Sequence, residues 1–244
     1  DEAKYIFRLL KPESVPDVLL ELDEETRQKI LNSLTSQEIA DQIDQMDSDD
    51  AVDLISELPK NKKEEVLARI DDENQASDIA DLLLYAEDTA GGLMAKELIK
   101  VNVSWTVGQC IREMRKQAEE INEIYTIYVV DNDGKLMGLL SLKKLLFSSS
   151  SIRTQVAEIY TPNAQSVHVS AQSEEVAKMM EKYDLVVLPV VDDENILVGR
   201  ITIDDIVDVI KEEAEKDYQL ASGLSDSVDT SDTVIRSSRA RIPW

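Results

Sequence analysis

IYVVDNDGKLMGLLSLKKLL (127–146) and LPVVDDENILVGRITIDDIV (188–207) align without a gap. Val129/Val190, Val130/Val191, Asp131/Asp192, Leu136/Leu197 and Gly138/Gly199 are identical between the two. Each copy reads as strand, polar turn, strand, then a helix opened by Ser141-Leu142 or Thr202-Ile203. A helical apolar pattern precedes each copy, near residues 106–118 and 173–183. The duplication predicts two like α/β halves related by a pseudo-twofold axis.

The second copy runs into TIDDIVDVIKEEAEKD (202–217), which holds seven carboxylates and two lysines. At helical period Ile203, Ile206, Val207 and Ile210 form an apolar stripe. Asp204 and Asp208 stand four residues apart and Asp205 and Asp208 three apart, so like charges neighbour one another on the helix surface. Glu212, Glu213, Glu215 and Asp217 crowd the C-terminal part, where the helix dipole also disfavours anions. Such a helix is either a solvated acidic face or one wall of a cation site.

Towards the N-terminus a period of twelve appears. Positions 19, 31, 43, 55, 67 and 79 read Leu, Leu, Ile, Ile, Leu, Ile, and positions 22, 34, 46, 58, 70 and 82 read Leu, Leu, Met, Leu, Ile, Leu. Helix-start residues fall between the columns: Asp23, Thr35 or Ser36, Asp47 or Ser48, and Asp71, with Pro59 breaking the fourth cycle. Each unit is then a helix of about two turns, too short to stand alone but able to bury a continuous stripe when stacked. Residues 1–90 carry 25 acidic against 9 basic side chains. Within MDSDDAVDLISEL (46–58), Asp49 and Asp53 lie at i and i+4, off the Ile55/Leu58 stripe and facing outwards.

Across 244 residues there are 26 Lys and Arg against 50 Asp and Glu, a net charge of -24. That balance repels phosphate backbones and excludes nucleic acid as a partner, while it attracts cations or basic proteins. Cys110 and His168 are the only residues of their kinds. Cys110 fits a buried helix position and His168 a strand, so a Cys/His zinc site, a disulfide framework and a His-based triad are excluded. No nucleophile–base pair or Gly-rich phosphate loop marks an enzyme. No run approaches the roughly 18 apolar residues of a membrane helix. The chain lacks an initiator methionine and a signal peptide, as a trimmed fragment would. It ends in RSSRARIPW, where Arg236, Arg239 and Arg241 precede Pro243 and Trp244, a pattern of the cytoplasmic side of a membrane entry.

The duplicated unit resembles a pair of CBS domains over residues 95–210. CBS pairs commonly bind adenine nucleotides through a Gly-x-x-Thr/Ser-x-x-Asp run. The second half keeps that run as Gly199, Thr202 and Asp205, whereas the first has Gly138 and Ser141 followed by Lys144. Thr202 is thereby a candidate nucleotide contact and ATP a candidate ligand. YAEDTAGGLMAKEL (85–98) joins the repeat to the pair. The acidic repeat, EDTAGGLM, the CBS pair and the acidic helix together resemble the cytosolic part of MgtE-type magnesium channels.

The resemblance implies an all-α superhelical repeat domain (1–90), an α/β CBS pair (91–202, with halves near 95–150 and 155–210) and a connecting or plug helix (203–220). A linker (221–244) to a transmembrane domain absent from the chain follows. It implies a Mg²⁺ sensor that gates a channel from the cytoplasmic face of the membrane and forms a homodimer through its CBS domains. Asp49 and Asp53 correspond to acids that share ions with Asp205 and Asp208. Glu213 and Asp217 fall on the plug helix, Asp17 and Asp184 at further metal positions, and Lys216 stands where an acid is expected. Two other readings compete: an adenine-nucleotide-sensing module, and an acidic scaffold for a basic partner.

Overall fold

The structure is a computed structural model and describes residues 9–11, 14–118, 121, 124–147, 151–207 and 209–211. Among the described residues six short helices come first: α1 Val15–Glu21, α2 Glu24–Leu31, α3 Ser36–Ile43, α4 Ser48–Ser56, α5 Lys60–Leu67 and α6 Glu73–Leu82. The period of twelve becomes their stacking. Leu19, Leu31, Ile43, Ile55 and Ile79 are at most 2% exposed, and Leu34, Met46, Leu58, Ile70 and Leu82 are buried beside them. Leu22 and Leu67 pack against this core from its margin.

Local chemistry starts each helix. Asp23 accepts from the Thr26 N–H, and Thr35 forms a reciprocal capping box with Glu38. Two expectations are corrected here. Asp72, not Asp71, caps α6, accepting from the Asn74 and Gln75 N–H groups. Pro59 does not break the repeat; it is the residue from which α5 starts, where its missing N–H costs nothing. The helix ends are closed by one device used twice. Lys62 Nζ donates to the Leu31 and Leu34 carbonyls at 2.7 and 2.9 Å, and Gln75 Nε2 to those of Ile43 and Met46 at 2.8 and 3.0 Å. Both satisfy carbonyls that a helix C-terminus leaves without partners.

The two halves share one plan. In the first, β1 (Ile99–Asn102) lies parallel to β2 (Ile127–Val130), and β2 lies antiparallel to β3 (Leu136–Leu140). Helices α7 (Val107–Gln117) and α8 (Leu142–Phe147) complete it. In the second, β5 (Val167–His168), β6 (Val187–Val191) and β7 (Leu197–Thr202) repeat those pairings, with α9 (Ser173–Tyr183) ahead of β6. A final helix, α10, covers 203–207 and 209–211.

The halves exchange edges. β4 (Thr161–Pro162), which leads into the second half, pairs with β3 of the first, at Gly138 and Leu139. Ala95, which leads into the first half, pairs with Arg200 of β7. The shared glycines make room for these crossings. A Cβ on Gly138 would run into the Thr161 carbonyl, and one on Gly199 would lie 2.9 Å from the Ala95 carbonyl oxygen. Neither half can leave without stripping a strand position from the other.

EDTAGGLM is an edge rather than a free linker: the Ala90 and Gly91 N–H groups donate to the Ala171 and Val169 carbonyls at 2.7 and 2.8 Å. A Cβ on Gly92 would meet the Ala86–Glu87 backbone. One contiguous apolar cluster contains the repeat's columns, Ala90, Met94 and the second half's Val176, Met180, Leu188, Ile201 and Ile206. A second fills the first half around Val101, Cys110, Ile127 and Leu140. The repeat domain therefore sits on the second half, which positions α4 against α10.

Candidate metal interface

Asp47 precedes α4, and the helix turns Ala51, Val52, Leu54 and Ile55 into the core. That burial leaves Asp49, Asp50 and Asp53 on adjacent positions of the remaining surface. α10 starts at Thr202, whose backbone N–H and hydroxyl donate to Asp205 Oδ2 at 2.8 and 2.6 Å. Asp205 Oδ1 takes no part in that cap, and Asp204 lies beside it in sequence.

The two helices contribute to one apolar cluster, through Ala51, Val52, Leu54 and Ile55 of α4 and Ile203, Ile206 and Ile210 of α10, and their acids act on one another. Burial and then the charge of Asp205 push the Asp49 carboxyl well above the usual range. Burial pushes Asp50 up to about 7, with Asp205, Asp47 and Asp53 adding to it. Asp53 is raised by burial and Asp205, against the pull of Arg27. Asp205 itself is raised by burial, opposed by its bonds from Thr202 and by Arg200. One aspartate of the second half thus acts on three of the repeat domain. As a scale, two like charges about 5 Å apart repel by about 3 kcal/mol at an effective dielectric near 20.

A cation or a proton relieves that repulsion. No group of three or more His, Cys, Asp or Glu converges tightly enough among the described residues to hold a bare metal ion. Ca²⁺ takes six to eight oxygen ligands, whereas Mg²⁺ keeps most of its waters and binds through one or two carboxylates. Asp49, Asp50 and Asp53 opposite Asp205 therefore fit a hydrated divalent cation better than a dedicated cage.

The expected site residues divide accordingly. Asp49, Asp53 and Asp205 come together. Asp49 and Asp53 were expected to face outwards; in the fold they face the second half instead. Asp17 is exposed on α1 and lines a cleft of about 1120 Å³ with Asp44, Asp78 and Lys100, between the repeat and both halves of the pair. Asp184 ends α9 in a left-handed conformation, φ 52°. Neither is among the charges that act most strongly on the Asp49–Asp205 group. Asp208, Glu213, Asp217 and Lys216 lie outside the described residues, as does the RSSRARIPW tail.

Sequence reasoning missed Asp50 and the Asp47–Arg200 ion pair, 2.7 Å long. Asp50 is adjacent to Asp49, where an i, i+4 search does not look. Arg200 carried a signal: it is a charge inside an apolar strand, opposite Leu139 in the other copy.

Thr202 is 2% exposed and spends its hydroxyl on Asp205, so contact with a phosphate requires that cap to open. In the first half Lys144 Nζ instead donates to Thr161 Oγ1 at 2.9 Å. His168 lies between Ser170 Oγ (2.7 Å) and Asp193 Oδ1 (2.9 Å), so a single histidine does not by itself rule out a triad. The Asp193 side chain is 96% exposed, and the Ser170 N–H also donates to Nδ1, which marks a surface turn rather than a buried, pre-oriented relay. Cys110 is fully buried and its thiol is pushed up to about 11, as expected of a core residue.

A family model described as the MgtE intracellular N domain matches residues 1–88, and the CBS domain model matches 90–151 and 156–212. The magnesium transporter MgtE of Thermus thermophilus is 44% identical over 146 residues, covering 60% of this chain and 32% of that protein. That of Enterococcus faecalis is 32% identical over 248 residues, covering 91% and 54%. The chain thus spans about a third to a half of these relatives. The crystal structure of the soluble part of a magnesium transporter superposes with a TM-score of 0.76 at 32% identity, over 86% of this chain and 82% of that one. The cytosolic domain of the Mg²⁺ channel MgtE in complex with ATP gives 0.76 at 35%, over 84% and 83%. With the acidic repeat, the crossed CBS pair and the EDTAGGLM edge all in place, the chain belongs to the MgtE family, of which it carries the N domain and the CBS pair.

Proposed function

We propose that this chain is the magnesium-sensing and gating region of a magnesium channel or transporter, at the cytoplasmic face of the membrane. The observation that carries the reading is α4 facing α10 with carboxyl groups raised by burial and mutual repulsion. Mg²⁺, when bound, supplies the positive charge that this surface lacks. Asp49, Asp50 and Asp53 present oxygens from the repeat domain and Asp205 from the second half. Asp208, Glu213 and Asp217 extend the acidic face along a connecting helix (203–220) towards the membrane domain, and Asp17 and Asp184 are further ligands outside this cluster. Where the carboxylates are neutralised, the docked form is favoured and the pore is held closed. Where they are bare, the repeat domain separates, by population shift between the two forms.

A homodimer through the CBS domains is supported by apolar side chains left exposed on the helix that follows each hairpin: Leu142, Leu146 and Phe147 on α8, and on α10 Val207, which matches Leu146. A second reading, adenine-nucleotide sensing, is favoured by the intact Gly199, Thr202 and Asp205 run and by the ATP held by a solved relative. It predicts ATP binding that weakens in Thr202→Ala.

Small-angle scattering tests the main reading. The radius of gyration should fall with millimolar MgCl₂ but not with NaCl of matched ionic strength, and Asp49→Ala/Asp205→Ala should abolish the fall. An equal response to both salts means charge screening alone and sinks the sensor.

A further inference from the structure

Arg200 is 4% exposed in an otherwise apolar strand. Its Nε donates to the Glu97 carbonyl oxygen at 2.6 Å and its Nη2 to Asp47 Oδ2 at 2.7 Å. The guanidinium stands 4.9 Å from the centroid of the Tyr125 ring, within cation–π range. Its backbone N–H and carbonyl are both paired with Ala95, at 2.9 and 2.8 Å. Around it the Ser48 N–H and hydroxyl donate to Glu97 Oε2 at 3.1 and 2.9 Å, and the Lys96 N–H donates to Ser48 Oγ at 2.8 Å. One buried cation thus joins the start of α4, the edge segment 95–97, β7 and Tyr125 of the first half.

A buried arginine is retained at a cost in desolvation, and its planar fork fixes the geometry of whatever it binds. Here it meets the end of α4 that carries the ion-facing acids. The Asp47 charge acts on Asp49, Asp50 and Glu97, so neutralising it reduces the repulsion across the whole interface. We infer that Arg200 is a resident cation of the docking surface: a tethered guanidinium that pairs with Asp47, fixes the register in which Asp49, Asp50 and Asp53 meet Asp205, and so lowers the divalent-cation concentration at which the repeat domain docks. Arg200 is a positioning residue, since it acts through Asp47 rather than on an ion. The inference rests on the ion-bridged reading above and adds to it a charge supplied by the chain itself.

The test is a MgCl₂ titration of compaction, read by small-angle scattering, together with urea unfolding in the absence of divalent ions. Arg200→Met should raise the Mg²⁺ midpoint by about tenfold, the size of an ordinary coupling between sites, and Asp47→Asn, which loses the tether but also the charge that Arg200 neutralises, should raise it by less. The double variant should be no worse than the more severe single one, because both changes break one pair. Arg200→Lys should recover part of the loss, keeping the charge without the fork. Asp47 stands at the N-cap of α4 without a side-chain cap bond, and Asn is an equally good residue there, so Asp47→Asn should unfold at the wild-type urea concentration without ions. Should Arg200→Met not fold, Asp47→Asn carries the test alone. Variants that follow the wild-type Mg²⁺ curve overturn the inference and leave the ion-bridged reading standing, as does an Asp47→Asn that loses ion-free stability with an unchanged midpoint. A wild type blind to Mg²⁺ takes down both.

Discussion

The two CBS halves have one backbone plan and opposite charge plans. Where the second has Arg200, Thr202 and Asp205, the first has Leu139, Ser141 and Lys144. Leu139 packs in the apolar seam between the halves, against Tyr128, Val130 and Leu197. Arg200, in the matching position, reaches the repeat domain. Asp205 acts on three aspartates, while Lys144 donates to Thr161. Duplication supplied two equivalent surfaces, and only the one under the repeat domain acquired the chemistry of an interface. The glycines escape this divergence because their role is steric in both halves.

That equivalence of backbone is where the comparison breaks hardest. Gly138→Ala and Gly199→Ala both push a Cβ into a crossing segment, and overpacking of this kind costs roughly 1–3 kcal/mol. Gly138→Ala should be the worse, at about 3 kcal/mol, because its obstacle is the Thr161–Pro162 backbone. At Gly199 the nearest atom is the flexible Met94 side chain, so about 2 kcal/mol is expected. Urea unfolding of both variants decides it; equal, negligible losses would mean the edge exchange is not what holds the halves together.

The charge plans are separated by Asp205→Asn set against Lys144→Asn. Asn keeps an oxygen for the Thr202 cap but removes the charge that acts on Asp49, Asp50 and Asp53. Without divalent ions Asp205→Asn should compact partly by itself, by about 1–2 kcal/mol of docking after screening of the exposed part of each pair. Lys144→Asn should leave docking unchanged. A scattering curve of Asp205→Asn identical to that of the ion-free wild type would mean that α4 and α10 do not repel.

Much of this architecture was legible because it is periodic. Twelve-residue spacing fixed six helices and their buried columns, and the gapless duplication fixed two sheets and the helices before and after each hairpin. Asp49, Asp53 and Asp205 were legible through family resemblance, not through spacing, since an outward carboxylate pair is usually solvated. What sequence could not decide was local choice and distant pairing. Asp71 and Asp72 are equal candidates for a cap until the backbone selects one. Asp47 and Arg200 are 153 residues apart, and no local pattern relates them. Gly138 and Gly199, read as part of a nucleotide run, also make room for the strand crossings in this fold.

Acidification offers a gentler probe of the same surface. Burial and mutual repulsion in the docked form push Asp50 up to about 7 from the ordinary 3.8, and raise Asp49, Asp53 and Asp205 as well. Between those values the docked form binds more protons, so docking is favoured as pH falls through that window and opposed as pH rises through it. The ion-free chain should compact progressively as pH falls from about 7 towards 3.8. Asp205→Asn should show less of this response, since its own proton is no longer needed.

The smallest effect distinguishes the two hairpin exits. Thr202→Ala removes the hydroxyl bond to Asp205 and should cost about 1 kcal/mol of stability, as loss of a helix cap does, while Ser141→Ala in the first half should cost less. Thr202→Ala has a second consequence that Ser141→Ala lacks. The Thr202 bonds hold the Asp205 carboxyl down against burial, so removing the hydroxyl bond raises it. A higher carboxyl affinity for protons shifts the compaction of the ion-free chain towards higher pH, by a fraction of a unit. Scattering followed across pH reads that shift, and a Thr202→Ala curve superimposed on the wild type would mean that Asp205 does not govern the docking charge.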